Sequence, residues 1–157
     1  MKYLTIFLLL GLVVSVNAQT EYFETDIRGI RTDIREVAKE IVAQNMVLTP
    51  DEAKIFWPLY DEYMEELKTL GDQEVKLTEE YMLNYYLMDE ENAGNLLDKV
   101  LNLERDKESL NYDYIRKMKK VLSAKVVGKF YQIEKRVSLL IDAEKVSRIP
   151  LLKKEEK

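Results

Sequence analysis

Apolar side chains recur at intervals of three and four along most of this chain, the spacing that lines up one face of an α-helix. Ile27, Ile30, Ile34, Val37 and Ile41 form the first stripe and predict a helix from about Thr25 to Asn45. Phe56, Tyr60, Tyr63, Leu67 and Leu70 form a second, which loosens around Gly71 and resumes through Leu77, Tyr81 and Tyr85. That helix is either continuous to about Leu87 or broken near Gly71. Leu96, Val100, Leu103, Leu110, Tyr114 and Val121 mark a third stripe, interrupted by Lys107. Val126, Phe130, Ile133, Val137 and Leu140 mark a fourth. β-branched alternation is nowhere sustained, so the expected fold is all-α with about four helices.

The polar positions between the stripes punctuate them. In Leu48-Thr49-Pro50-Asp51-Glu52, Thr49 stands as N-cap, Pro50 at the first helical position and Glu52 at the third. Thr49 can accept from the Glu52 backbone N–H while the Glu52 side chain returns to the Thr49 N–H. Pro50 loses nothing where its missing N–H would be unpaired anyway. Pro58 lies inside the same helix and predicts a kink, because it removes one hydrogen bond and crowds the carbonyl of Lys54. Asp89, after the tight turn at Met88, and Ser123 are the N-caps expected for the third and fourth helices. Arg148-Ile149-Pro150 ends the last, since the residue before a proline avoids the helical region. Ile149, Leu151 and Leu152 form an apolar tail able to pack back, and Lys153 to Lys157 is expected to fray.

The two middle helices, each of more than about 30 residues, would reach roughly 50 Å at 1.5 Å per residue. Such lengths in a small chain give an elongated antiparallel hairpin. A thin layer of long helices cannot bury both faces, so some apolar side chains stay on a broad face or are covered by dimerisation.

The first residues read as an export signal. Lys2 is a short basic start, Leu4 to Val14 is apolar, and Val16-Asn17-Ala18 is a small-residue cleavage pattern. The apolar core falls short of the ~20 residues a membrane span needs. Cleavage after Ala18 leaves 19–157 as a single domain, and periplasmic localisation is the expectation. The chain has no Cys and no His. That argues against disulfides, thiolate or imidazole zinc sites, nucleophilic triads built on His, and the Glu-x-x-His di-iron pattern. No Gly-rich phosphate loop is present either. No cofactor, metal or catalytic residue is therefore assigned, and the chain is not read as an enzyme.

Charge is unevenly placed. From Gln19 to Glu104 there are 8 basic and 21 acidic residues, a net of −13, and from Arg105 to Lys157 there are 15 basic and 8 acidic, a net of +7. An exported protein rarely meets nucleic acid, so the simpler reading is an acidic half packed beside a basic half. Asp61, Glu62, Glu65, Glu66, Glu79 and Glu80 could in principle form a weak Ca²⁺ site or an acid/base pair. One helix offers too few convergent oxygens for that, and a solvated acidic face is the preferred reading. The basic run Arg116, Lys117, Lys119, Lys120, Lys125, Lys129, Lys135 and Arg136 is read chiefly as the complement of the acidic half, with a patch for anionic clients or lipid headgroups as the other reading.

Aromatic residues change the picture more. Phe56, Trp57, Tyr60 and Tyr63 crowd the start of the second helix, with Phe130 and Tyr131 on the fourth, and most belong in a core. Tyr81, Met82, Leu83, Tyr85, Tyr86, Leu87 and Met88 instead surround the helix circumference, so they cannot all face one core. Adaptable Met and amphipathic Tyr suit non-specific apolar recognition. Tyr81, Met82, Tyr85, Tyr86 and Met88 are the candidate client- or partner-binding residues, against the plainer reading of a dimer contact or hairpin end.

Leu48-Thr49-Pro50-Asp51-Glu52, followed by Phe56-Trp57-Pro58-Leu59-Tyr60-Asp61-Glu62-Tyr63, resembles the Spy/CpxP-like periplasmic helical proteins with Leu-Thr-x-x-Gln motifs, most of all the branch common in Bacteroidota. Leu122-Ser123-Ala124-Lys125-Val126, leading into Lys129-Phe130-Tyr131-Gln132-Ile133-Glu134, is similar to the second motif, and Ile149-Pro150-Leu151 fits the same branch. The fifth motif position is Glu52 in the first copy and Val126 in the second, where the family has Gln; Glu still caps, and Val does not. The resemblance implies a long bent helical hairpin, dimerising into a cradle. It further implies either an ATP-independent chaperone for partly unfolded clients or a stress-sensing module that binds a membrane-anchored partner. Metal sensing through His-containing sites, known in related proteins, is not expected of a chain without His.

Overall fold

The computed structural model describes residues 37–152. The expected signal peptide, Ile27, Ile30 and Ile34 of the first stripe, and Lys153 to Lys157 lie outside the described residues. Four helices follow in order: α1, helical over 37–45, α2 (Pro50–Asn84), α3 (Glu90–Lys119) and α4 (Ala124–Arg148). No strand occurs among the described residues, and the fold is the expected all-α helical hairpin.

The caps sit where the polar punctuation places them. Thr49 Oγ1 accepts from the Glu52 N–H at 3.3 Å while Glu52 Oε2 accepts from the Thr49 N–H at 2.9 Å, closing the capping box. Asp89 accepts from the Asn92 N–H and Ser123 from the Val126 N–H. α2 runs for 35 residues, unbroken at Pro58 and at Gly71, and stops at Asn84 rather than Leu87. The apolar stripe on both sides of Gly71 is held by packing, which outweighs the ~1 kcal/mol that glycine costs a helix. α3 covers 30 residues and ends two short of Val121.

Side-chain pairs fix the topology. Glu80 meets Lys99, Glu74 meets Lys107 and Glu66 meets Tyr114, so α2 and α3 run antiparallel. α4 returns alongside α2 and parallel to it: Phe130 packs on Phe56 and Tyr60, Glu134 on Tyr63, Lys145 on Glu74, and Pro150 on Tyr81. α1 lies against the start of α2, where Lys39 pairs with Asp61 at 2.7 Å and sits near the Trp57 ring.

The core is centred on Phe56, Tyr60, Tyr63, Tyr114, Met118 and Phe130, all at most 2% exposed. Their rings meet mainly edge-to-face, with centroids 5.4 Å apart for Phe56–Phe130 and 5.9 Å for Tyr60–Phe130, an arrangement worth ~1 kcal/mol per pair beyond area burial.

The stripes hold in period and shift in phase. Val37, Val100, Val121 and Leu140 are exposed, and Ala38, Val42, Met118 and Ile141 take the inward places. Spacing of three and four fixes the helical repeat, but rotating a stripe by one residue preserves the spacing. Which neighbour faces in is decided by the helices packed around it.

Candidate functional site

Two features stand out from the aromatic core: a polar-ended cavity between the helices and an apolar tip beyond them. The cavity, about 190 Å³, lies where α2, α3 and α4 face one another. Met64, Leu67, Val75, Val137 and Ile141 give it apolar walls. At one end Tyr63 Oη donates to Glu134 Oε1 at 2.7 Å, and Asn111 Nδ2 approaches the same Tyr63 oxygen at 3.4 Å. At the other, Glu74 Oε1 accepts from Lys107 at 2.7 Å and from Lys145 at 2.8 Å. The two ends are eleven residues apart on α2 (Tyr63, Glu74) and on α4 (Glu134, Lys145), or about 16 Å along each helix.

The two buried carboxyls differ in kind. Burial pushes Glu134 above the ordinary carboxylate range, and the Tyr63 hydrogen bond and the Lys135 charge only partly offset it. Burial raises Glu74 too, but the Lys145 and Lys107 ammoniums outweigh it and hold Glu74 below its ordinary value. Burial, with the Glu134 charge, likewise keeps the Tyr63 hydroxyl protonated far above its usual range.

Both ends were partly visible in the sequence. Lys107 interrupts the third stripe because it faces inward, where Glu74 meets it. Glu134 falls between Phe130 and Val137 at helical spacing, and a carboxylate on an apolar face is the signal that marks it. Asn111, four residues from Lys107, follows the same logic.

The residues singled out at the hairpin end divide between two jobs. Tyr81 Oη donates to the Pro150 carbonyl at 2.7 Å and Tyr85 Oη to the Leu151 carbonyl at 3.1 Å. The tail therefore packs back through its backbone, while the Leu151 and Leu152 side chains stay exposed. Met82 and Met88 are half-buried. Tyr86 points outward, 79% exposed, beside Leu83 and Leu87 on the α2 end, and Leu97 and Leu101 are exposed on α3. Among the described residues, α2 and α3 there pack on each other and on the backbone of 150–151, which leaves these side chains uncovered.

The residues that carry the Leu-Thr-x-x-Gln resemblance serve the other end of the molecule. Thr49, Pro50 and Glu52 start α2, Leu48 and Trp57 pack on the core, Phe56 is central to it, and Pro58 is exposed. Leu122 is buried and Ser123 caps α4.

The charged clusters settle into contacts of ordinary kinds. Asp61 pairs with Lys39, Glu66 accepts from Tyr114, and Glu80 pairs with Lys99. Among the described residues no group of three His, Cys, Asp or Glu is placed to hold a metal ion. The complementarity expected between the halves is carried by Glu74 with Lys107 and Lys145 more than by the basic run. Lys135 pairs with Glu108, Lys117 lies over the Tyr114 ring at 3.8 Å, and Arg116 over Tyr112. Among the described residues Lys119, Lys120, Lys125 and Lys129 form no ion pair, leaving a positive surface around the α3–α4 turn. No helix among the described residues is long and apolar enough to cross a membrane.

Comparison with known proteins leaves this geometry to speak for itself: no family model, curated protein or solved structure matches the chain.

Proposed function

We propose that this chain is a periplasmic, ATP-independent chaperone-like protein that holds partly unfolded clients, as its resemblance to the Spy/CpxP-like proteins implies. The observation that carries the reading is the apolar hairpin tip. Leu83, Tyr86, Leu87, Leu97 and Leu101 stay exposed there, next to the acidic Asp89, Glu90 and Glu91. Large exposed apolar side chains brought to one end of a fold and flanked by charge suit a protein-binding surface. Met82 and Met88 at its edge can adjust to different partners. Dimerisation into a cradle would join two such surfaces into one broader face. No nucleotide is required, since capture by apolar contact needs no chemical step.

The direct test is light scattering of a chemically denatured client diluted with and without the protein, lacking ATP. Suppression near stoichiometric ratios, weakened by Tyr86→Ser with Leu87→Ser, supports the reading and locates the surface. Unchanged aggregation at excess protein rejects it.

A second reading, a stress-sensing module for a membrane-anchored regulator, draws on the unpaired Lys119, Lys120, Lys125 and Lys129. They would meet an acidic segment of such a partner. Crosslinking in the cell envelope that captures one dominant partner through the α3–α4 turn would favour it over the chaperone reading.

A further inference from the structure

The cavity between α2, α3 and α4 is separate from the tip, and its charges are unevenly satisfied. At the Glu74 end, both lysines share one carboxylate and each has a second acid as well, Glu104 for Lys107 and Asp142 for Lys145. No cation there is left over for an anionic ligand. At the other end, Glu134 is 7% exposed, and its Oε1 accepts from the Tyr63 hydroxyl, while no described residue donates to Oε2. The neighbouring Lys135 ammonium is turned to Glu108 at 2.6 Å. Glu134 lines the cavity, and its Oε2 stays open there instead of being sealed away without a partner. A carboxylate oxygen that no protein donor reaches can accept from a ligand's donor.

We propose that this cavity binds a small organic cation: a protonated amine on a compact apolar body, its ammonium on Glu134 and its body along Met64, Leu67, Val137 and Ile141. An apolar pocket with a few orienting polar groups is the common build of a small-ligand site. A cavity of ~150 Å³ lined by aliphatic side chains holds benzene, so about 190 Å³ takes a body of roughly eight to ten non-hydrogen atoms. The ammonium answers Oε2, and Tyr63, held by Asn111, keeps the carboxyl aimed. An arylalkylamine or a short branched alkylamine fits that description. A carboxylate of the same shape meets Glu134 with like charge and is rejected.

The test is calorimetric titration of the full mature chain at pH 7 with phenethylamine, phenylpropionate and phenethyl alcohol. Phenethylamine should bind saturably with a submillimolar Kd, and the acid and the alcohol at least about tenfold more weakly. Glu134→Gln keeps the shape and should weaken the amine by about tenfold or more. Ser138→Phe narrows the cavity from its wall and should abolish binding with the circular dichroism unchanged. The proposal is overturned if the amine fails to bind at about ten millimolar. It is equally overturned if the acid binds as tightly, or if Glu134→Gln leaves the affinity unchanged. Client capture uses the tip instead, so either reading can fail while the other stands.

Discussion

The Tyr63 hydroxyl donates to Glu134 Oε1 at 2.7 Å inside the core, tying α2 to α4 across 71 positions of sequence. This contact holds a carboxyl where burial disfavours its charge. In the folded state Glu134 therefore keeps its proton at pH values where the unfolded chain, near 4.5, has lost it. Stability contributed at this site is full below 4.5 and is lost as pH rises through the raised folded value. Glu134→Gln should thus exceed the native chain in urea unfolding at neutral pH, with the gap closing as pH falls toward 4.5. Parallel curves across that range would contradict it.

Glu74 carries the opposite sign. Its folded value is depressed by Lys145 and Lys107 against the opposing pull of burial, so its contribution is present above about 4.5 and lost as pH falls further. Glu74→Gln leaves two ammoniums, each 18% exposed, without their shared acid. A loss of about 2 kcal/mol is expected, below the 3–5 typical of fully buried pairs. Adding Lys107→Met should restore at least half of it, and failure of that rescue would argue against electrostatic pairing as the cause.

Tyr60 is fully buried, and its hydroxyl has no hydrogen-bond partner. Tyr60→Phe removes only that oxygen. The variant should be as stable as the native chain or up to about 1 kcal/mol more so. A clear loss in thermal unfolding would mean that the hydroxyl is satisfied in solution.

Thr49→Ala opens the capping box at the start of α2 and should cost about 1 kcal/mol. Glu52→Ala in the same background should add little, because the two side chains serve one reciprocal motif. Independent, additive losses in denaturant titrations would dissolve that coupling.

The tail is pinned by two tyrosines, and removing both hydroxyls leaves it to fray. Tyr81→Phe with Tyr85→Phe should speed trypsin cleavage after Arg148 about fivefold, the effect of losing ~1 kcal/mol of local stability. An unchanged cleavage rate would show that the apolar contacts of Ile149 hold the tail without them.

Much of this architecture can be read from the chain because its helices are punctuated by chemistry. Thr49, Asp89 and Ser123 each announce a helix start, and Ile149-Pro150 a stop, through hydrogen bonds local to the backbone. The phase of the stripes was less legible: Leu140 and Ile141 are adjacent, both apolar, and only the helices packed around them decide which turns inward. The cavity needed three helices to exist, so its ends surface in the sequence only as misfits, Lys107 and Glu134 on otherwise apolar faces. Tyr81 and Tyr86 look alike as letters, yet one anchors the tail and the other meets solvent. Their difference is set by where α4 ends, which no local pattern encodes.

α4 stops near the level of Tyr81, while α2 and α3 carry on together to the turn at 85–87. Among the described residues the fold is therefore thick and aromatic at one end and only two helices deep at the other. Amide exchange should follow that taper, slowest around Tyr60 and Tyr114 and fastest beyond Tyr81, where few buried contacts oppose opening. The end that offers apolar side chains outward is then also the end that can loosen and re-form without disturbing the rest. A surface of this kind can mould itself to what it meets, while the thick end keeps the fold.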